Sequence, residues 1–514
     1  MAHAMKRSAA IMIAAGIALP GAVSTAIVLS APAFAQEQST IGNEPGTLTI
    51  HKRLNPDSIG GPGTGAPVEN APGQPMPGVS FTATRIDFDM TTAEGFRDAA
   101  RIKPAEAAKK LTSESFTQTT DANGDAVFAD LPVGAYYVVE NPTEAQLANG
   151  LVPAAPFVAY VPMTTDGKWN RDVHVYPKNT ELTTEKTVDD ANKHPGDDNA
   201  QDVSKTLSYT VKSTVPVLPE NRTLTKYRIV DSYNNKELTN VKIAKVTVAD
   251  QELKEGVDYT VTTGTAAAKE GSDANATVTV ELSEARVKAL KADDEFAVTL
   301  TGDLTKIGED AIADGAVVNR GRTTGETEVT GNPGFNTTTF ETPDDEVTSY
   351  FGAVQVIKTG ENDAKLEGAV FDLYKVPSQA EGACNDRSNQ QIIRTGITTD
   401  GNGTAVINGL HVTDIQNNDE QITDTYCLVE TKAPKGYVKD ETPRAFTLTQ
   451  GEATSGQVIN AVRIAKTLEV PNVAQPPLTL PGTGGSGVLA LVALGLVIVG
   501  GGAYVARRNS VKAA

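Results

Sequence analysis

Two stretches decide the fold: TTDANGDAVFADL at residues 119–131 and TTDGNGTAVINGL at residues 398–410. Each opens on a polar turn with an Asn-Gly pair and runs on into alternating apolar and polar residues, the pattern of a turn feeding a half-buried strand. The pieces around them also match, in the same order. LTIHK (48–52) and MPGVSFTATRID (76–87) precede the first stretch, and AYYVVENP (135–142) follows it. VQVIK (354–358) and LEGAVFDLYKV (366–376) precede the second, and TYCLVETKAPKGY (425–437) follows it. One β-sandwich plan is therefore expected twice.

Between the repeats, residues 180–342 carry their own alternating runs: LSYTVKSTV (207–215), KYRIVDSY (226–233), VKIAKVTVA (241–249), ATVTVEL (276–282) and FAVTLTG (296–302). SEARVKALKADD (283–294) reads as a helix with Ser283 as N-cap. NKHPGDDNAQD (192–202) reads as a polar loop and ETPDDEVTSYFG (341–352) as a linker. The Pro/Gly-rich insertion at 60–78 is too poor in apolar residues to be core, and residues 90–110 add a helix or two.

The chain has 514 residues, enough for about three domains. Its net charge of −19 argues against a nucleic-acid partner. Aromatic residues are sparse, and recurrent Thr and Val favour short strands. The histidines His3, His51, His174, His194 and His411 are scattered singly, without metal-ligand spacing, so no metal or cofactor is expected. DANGD (121–125) starts like a calcium loop, but Ala126 and Pro132 stand where glycine and glutamate are needed, and a hairpin turn is the better reading. No Walker loop, G-x-S-x-G or metalloprotease motif occurs.

Charged residues fall on apolar strand faces. Leu48, Ile50 and Lys52 align by period two, as do Val354, Val356 and Lys358. The later strands align Tyr136, Val138 and Glu140, and Tyr426, Leu428 and Glu430. The last strands add asparagines: Val173, Val175, Pro177 and Asn179, and Leu468, Val470 and Asn472. The middle region has Leu182, Thr184 and Lys186, then Tyr227, Ile229 and Asp231, then Val317 and Asn319. A lone buried charge costs several kcal/mol, so buried lysine–carboxylate ion pairs are the plainer account.

Lysine, acid and asparagine on one face resemble the intramolecular isopeptide sites of Cna B-type domains, and the middle set, with aspartate, resembles the Cna A type. That resemblance implies bonds Lys52–Asn179, Lys186–Asn319 and Lys358–Asn472, promoted by Glu140, Asp231 and Glu430. Burial favours a neutral amine and a neutral carboxyl, so the amine can attack the amide while the acid shuttles protons. Enclosure supplies the proximity. Some relatives leave the first-domain bond unmade, and Asn460 in GQVINAV competes with Asn472 as acceptor.

Both chain ends carry processing signals. Lys6 and Arg7, an apolar stretch and Ala33-Phe34-Ala35 form a signal peptide, with Gln36 the first mature residue. Export permits a disulfide between the two cysteines, Cys384 and Cys427. At the other end, residues 487–506 are apolar enough to span a bilayer, and Arg507, Arg508 and Lys512 follow. Ahead of them, Leu480-Pro481-Gly482-Thr483-Gly484 resembles the LPxTG sorting signal. A sortase would cut between Thr483 and Gly484, leaving the membrane span as a temporary tether.

WNRDVHVYPKN (169–179) ties these features together. Trp169, Val173, Val175, Tyr176, Pro177 and Lys178 fit the pilin motif WxxxVxVYPK. With the E-box YCLVETKAPKGY (426–437), the chain resembles SpaA-type backbone pilins of Gram-positive bacteria over nearly its whole length. The resemblance implies an all-β chain of three tandem immunoglobulin-like sandwiches (Cna B, Cna A and Cna B types). The implied division is a signal peptide at 1–35, domains at 36–179, 180–345 and 346–475, and a sorting region at 476–514. It further implies a structural shaft subunit rather than an enzyme, with Thr483 joined to Lys178 of the next copy. The expected partners are identical subunits, a pilus-specific and a housekeeping sortase, minor and tip pilins, peptidoglycan and a host surface receptor. The expected location is the cell wall, as a surface pilus. The alternative is a monomeric wall-anchored adhesin that binds a host protein or glycan, for which Lys178 and its motif would have no use.

Overall fold

The computed structural model describes residues 41–476, apart from 59–62, 166–167, 195–203, 268–271, 306–313, 387–389, 421–423 and 460–461, together with the isolated position 492. The signal peptide, Asn460, the sorting pentapeptide with Thr483, and the apolar span apart from position 492 lie outside the described residues. The chain is all-β and multidomain, and the helices among the described residues are short.

The opening repeat folds alike in both copies. Asp121 and Asp400 each accept two backbone N–H groups of their own turn, from Asn123 and Asp125 and from Asn402 and Thr404. Gly124 and Gly403 follow in left-handed conformation, at φ +78° and +70°. A Cβ on Gly124 would lie 2.6 Å from the Lys52 carbonyl oxygen, and one on Gly403 2.9 Å from that of Lys358. These glycine carbonyls accept the N–H of Lys52 and of Lys358, each at 2.7 Å. The buried hydroxyls of Thr120 and Thr399 tie the preceding residues back, accepting from Val79 and Ala369 and donating to Met76 and Leu366. The repeated turn thus fixes the backbone of the lysine read from the sequence.

These turns are not hairpins, which corrects the expectation for DANGD. Leu111–Thr119 pairs with Ser80–Ile86, whereas Asp125–Leu131 pairs with Gly46–His51 in the facing sheet. Gln391–Thr398 and Thr404–His411 divide in the same way. A turn that crosses between sheets lets both flanking strands point side chains into one core. In the first domain, sheet Asp172–Val175, Gly46–His51, Asp125–Leu131 faces sheet Leu111–Thr119, Ser80–Ile86, Gly134–Asn141, Phe157–Val161. Leu48, Ile50, Phe81, Phe128, Tyr136 and Val173 fill the space between them. Met76, inside the insertion expected to stay out of the core, is buried there as well.

The middle domain sets Glu185–Asp189, Thr206–Thr214, Glu295–Leu304 and Leu238–Val248 against Tyr259–Gly264, Ala276–Leu282, Arg222–Tyr233 and Ala316–Val329. Helices occur at Ala93–Ala99, Pro104–Ala107 and Glu284–Ala289. Ser283 sits at the N-cap position, but its hydroxyl makes no capping bond.

From residue 345 on, the expected linker at 341–352 is instead strand. Asp345–Thr359 is continuous: residues 345–350 pair with Ala316–Gly321 of the middle domain. Residues 351–359 then pair with Thr404–His411 and Val462–Pro471 of the third domain. The buried face of Val347, Ser349, Phe351, Val354 and Val356 holds the strand in both cores, overriding the polar Pro-Asp-Asp-Glu run that suggests a linker. Asp190 bolts the same seam. Fully buried, it accepts from Ser349 Oγ at 2.6 Å and the Asn417 N–H at 2.6 Å, and it lies 3.2 Å from His411 Nε2.

Candidate functional site

The structure brings all three lysine–acid–asparagine sets together. In the first domain Lys52 Nζ donates to Glu140 Oε2 at 2.9 Å and touches Asn179 Oδ1, while Asn179 Nδ2 donates to Glu140 Oε1. Strands Gly46–His51 and Gly134–Asn141 point the lysine and acid inward, and Lys178–Glu181 carries the asparagine beside Leu54. In the middle domain Lys186 Nζ donates to Asp231 Oδ2 at 2.6 Å, and Asn319 Nδ2 donates to Asp231 Oδ1 at 3.2 Å. Gly321, two residues beyond Asn319, makes room: a Cβ there would meet Val211 at 2.8 Å and the Lys186 stem at 3.4 Å.

The third domain is arranged differently. Lys358 Nζ donates to the Val470 carbonyl at 2.7 Å and stands 4.0 Å from Glu430 Oε1. Glu430 instead receives the Asn472 amide at 2.9 and 3.1 Å and the Asp440 N–H at 2.7 Å. All nine side chains are buried. Burial pushes the amines of Lys52, Lys186 and Lys358 below the ordinary lysine value, with Lys358 at about 8, and the facing carboxylates only partly oppose it. An amine shifted toward its neutral form beside a carboxyl-bound amide is the arrangement that amide exchange requires.

Lys178 has other surroundings. It lines a groove of about 530 Å³ between the first and middle domains, with Val173, Val175, Tyr176 and Pro177 of its own motif. The insertion supplies one wall through Thr64, Gly65, Val68 and Pro72, and the middle domain supplies Glu220 and Asn221. The Tyr176 hydroxyl accepts the Val68 N–H at 2.8 Å, and its ring stacks on His51, which bonds Asp125 and His174. Partial burial lowers the Lys178 amine, and Glu220 opposes that shift. Trp169 packs edge-on against Phe96 of helix Ala93–Ala99. Cys384 and Cys427 form a disulfide that ties the short turn at Ala383–Asn385 to strand Thr425–Lys432.

Sequence reasoning missed Glu220, the His51–Tyr176 stack, the Ala154 N–H, which donates to Asn179 Oδ1 at 2.7 Å, and Arg222, which donates to the Pro153 and Ala154 carbonyls. None has a local signature, because each reaches its site from another segment or through backbone. Among the described residues no group of three or more His, Cys, Asp or Glu could hold a metal ion.

Residues 43–180 match the model of the Gram-positive pilin subunit D1 N-terminal domain, and residues 352–461 that of the SpaA prealbumin-like fold domain. The chain is 32% identical to fimbrial subunit type 1 of Actinomyces viscosus, over 99% of this chain and 98% of that protein. It is 30% identical to fimbrial subunit type 2 of Actinomyces naeslundii, over 95% of each. The full-length major pilin SpaD of Corynebacterium diphtheriae superposes with a TM-score of 0.63 at 29% identity, covering 84% of this chain and 98% of that one. A multidomain all-β chain with these relatives defines a structural fibre subunit of the bacterial surface. The chain belongs to the SpaA-type pilins, the fimbrial subunits of Gram-positive bacteria.

Proposed function

We propose that this chain is polymerised head to tail by a sortase into a wall-anchored pilus shaft. The enzyme's cysteine displaces Gly484 from the Thr483 carbonyl, and the resulting thioester is attacked by the Lys178 amine of a neighbouring copy. A housekeeping sortase then joins the fibre base to peptidoglycan. Within each copy Lys52–Asn179, Lys186–Asn319 and Lys358–Asn472 condense with loss of ammonia, and Glu140, Asp231 and Glu430 carry the protons.

One contrast carries this reading: Lys178 lines a groove, while Lys52, Lys186 and Lys358 are sealed inside cores. An intersubunit nucleophile must reach an enzyme, and intrachain ones must be shut away from water. A blot of cell-wall extracts tests it. Wild type should give a high-mass ladder, and a single band would point to a monomeric protein instead.

A further inference from the structure

We propose that the Ala154 backbone N–H is the oxyanion donor for bond formation in the first domain, and that Arg222 of the middle domain is its positioning residue. The inference rests on the Lys52–Asn179 bond proposed above. Ala154 N–H donates to Asn179 Oδ1 at 2.7 Å, and more weakly to Glu140 Oε2 at 3.1 Å. Neither other site has such a donor: Asn319 Oδ1 and Asn472 Oδ1 are buried without a hydrogen-bond partner among the described residues.

Arg222 opens strand Arg222–Tyr233 and reaches across the seam between the domains. Its Nε donates to the Pro153 carbonyl at 3.2 Å and its Nη2 to the Ala154 carbonyl at 3.2 Å. Asn336 holds the far side of the guanidinium through its carbonyl and Oδ1, each at 2.6 Å. The Pro153 carbonyl and the Ala154 N–H belong to one peptide group. A cation on the oxygen end therefore polarises the N–H end, and a hydrogen-bonded chain runs from Arg222 through that peptide to Asn179.

The reaction draws on that chain when negative charge develops. Lys52 Nζ attacks Asn179 Cγ, and the carbonyl electron pair moves onto Oδ1, where the Ala154 N–H meets it. Glu140 takes a proton from the attacking amine and delivers it to Nδ2. The Cγ–Nδ2 bond breaks, the carbonyl re-forms and ammonia leaves. Amine plus primary amide thus become secondary amide plus ammonia, with no other reactant. Because Arg222 comes from the middle domain, the first-domain bond should form fastest once the two domains have docked.

The test uses the chain lacking only its terminal signals, assembled by ligation and held in denaturant so that no bond has formed before refolding begins. Mass spectrometry follows ammonia loss from each linked peptide with time, and Trp169 fluorescence reports first-domain folding. Ala154 replaced by lactic acid removes the N–H, while also weakening the Pro153 carbonyl as an acceptor, and should slow first-domain closure about 100-fold. Arg222→Gln should slow it about tenfold and Arg222→Lys less, the retained charge giving partial rescue, with the other two losses unchanged. Wild-type rates in the ester and Arg222→Gln chains overturn the proposal. So does a rate loss matched by lost native fluorescence, which would make Arg222 a packing residue. Wild-type ammonia loss from only the middle and third domains overturns the first-domain bond and this inference together, and leaves the other two bonds standing.

Discussion

Lys178 and Lys186 stand one short turn apart, and the fold sends them to opposite surroundings. Lys178 begins strand Lys178–Glu181 and lies half-buried along a groove. The Lys186 side chain is wholly buried, 5.1 Å over the Tyr209 ring and 2.6 Å from Asp231. Burial lowers both amines, so both are stronger nucleophiles than surface lysines near neutral pH. Reach divides them: on the proposed reading one meets an enzyme-bound acyl group, and the other, shut in with Asp231, meets Asn319. On the proposed function a pilin under tension would use both, because a covalent joint between subunits is no stronger than the domains it connects.

The largest expected effect breaks the pair apart. Lys178→Ala should abolish the polymer ladder and leave every intrachain ammonia loss intact. Lys186→Ala should do the reverse, keeping the ladder and restoring one ammonia to the mass. Blots and intact mass, run on both variants, read the two outcomes, and a full ladder from Lys178→Ala would remove that lysine from its role.

Next comes stability. Asp231→Ala should leave Lys186 and Asn319 unjoined and strand an amine in the core, costing the middle domain about 3–5 kcal/mol beyond the lost cross-link. Adding Lys186→Met should recover part of that, since no charge then remains to desolvate. Calorimetry of the two variants separates the cross-link from the buried charge. A single variant as stable as the double would mean that Lys186 bears no cost.

How much of this contrast can be read from residues alone depends on which interactions follow strand alternation. Lys52, Glu140, Lys358 and Glu430 are legible because period two puts charges on faces otherwise filled by Leu48, Ile50, Val354 and Val356. The double plan is legible because its turns repeat. The seams are not. Asp345–Thr359 opens with acidic residues and looks like a linker until its partners on both sides are known. His411 and His194 look like isolated histidines, yet both are buried at the seam that Asp190 closes. The groove escapes for the same reason: Glu220 and Asn221 lie far from the pilin motif and meet it only across two domains.

Titration sharpens the comparison further. In an Asn472→Ala chain Lys358 keeps a free buried amine, with a pKa of about 8 against 10.5 for the unfolded chain. Between those values the unfolded state binds more protons, so third-domain stability should climb as pH rises from about 8 to 10.5 and stay level below that window. Denaturant titrations across the range check the sign. The wild type, with its amine consumed in the proposed bond, should lack the climb.

The smallest effect concerns Glu220, the carboxylate facing Lys178 across the groove. Its charge favours the ammonium and opposes the shift that burial imposes. Glu220→Gln should therefore lower the Lys178 amine further and raise the neutral fraction near pH 7. Glu220 is exposed, so solvent and salt screen the interaction and the gain in polymerisation rate should be less than about fivefold. The rate rises with pH as the amine loses its proton, and the variant's profile should sit at lower pH than that of wild type. High salt should bring the two profiles together, because only a screened charge separates them. A slower variant at every pH would assign Glu220 the opposite part, that of taking the proton from Lys178 as it attacks. Lys186 would then differ from Lys178 in reach alone, since each amine would have its own carboxylate to receive the proton.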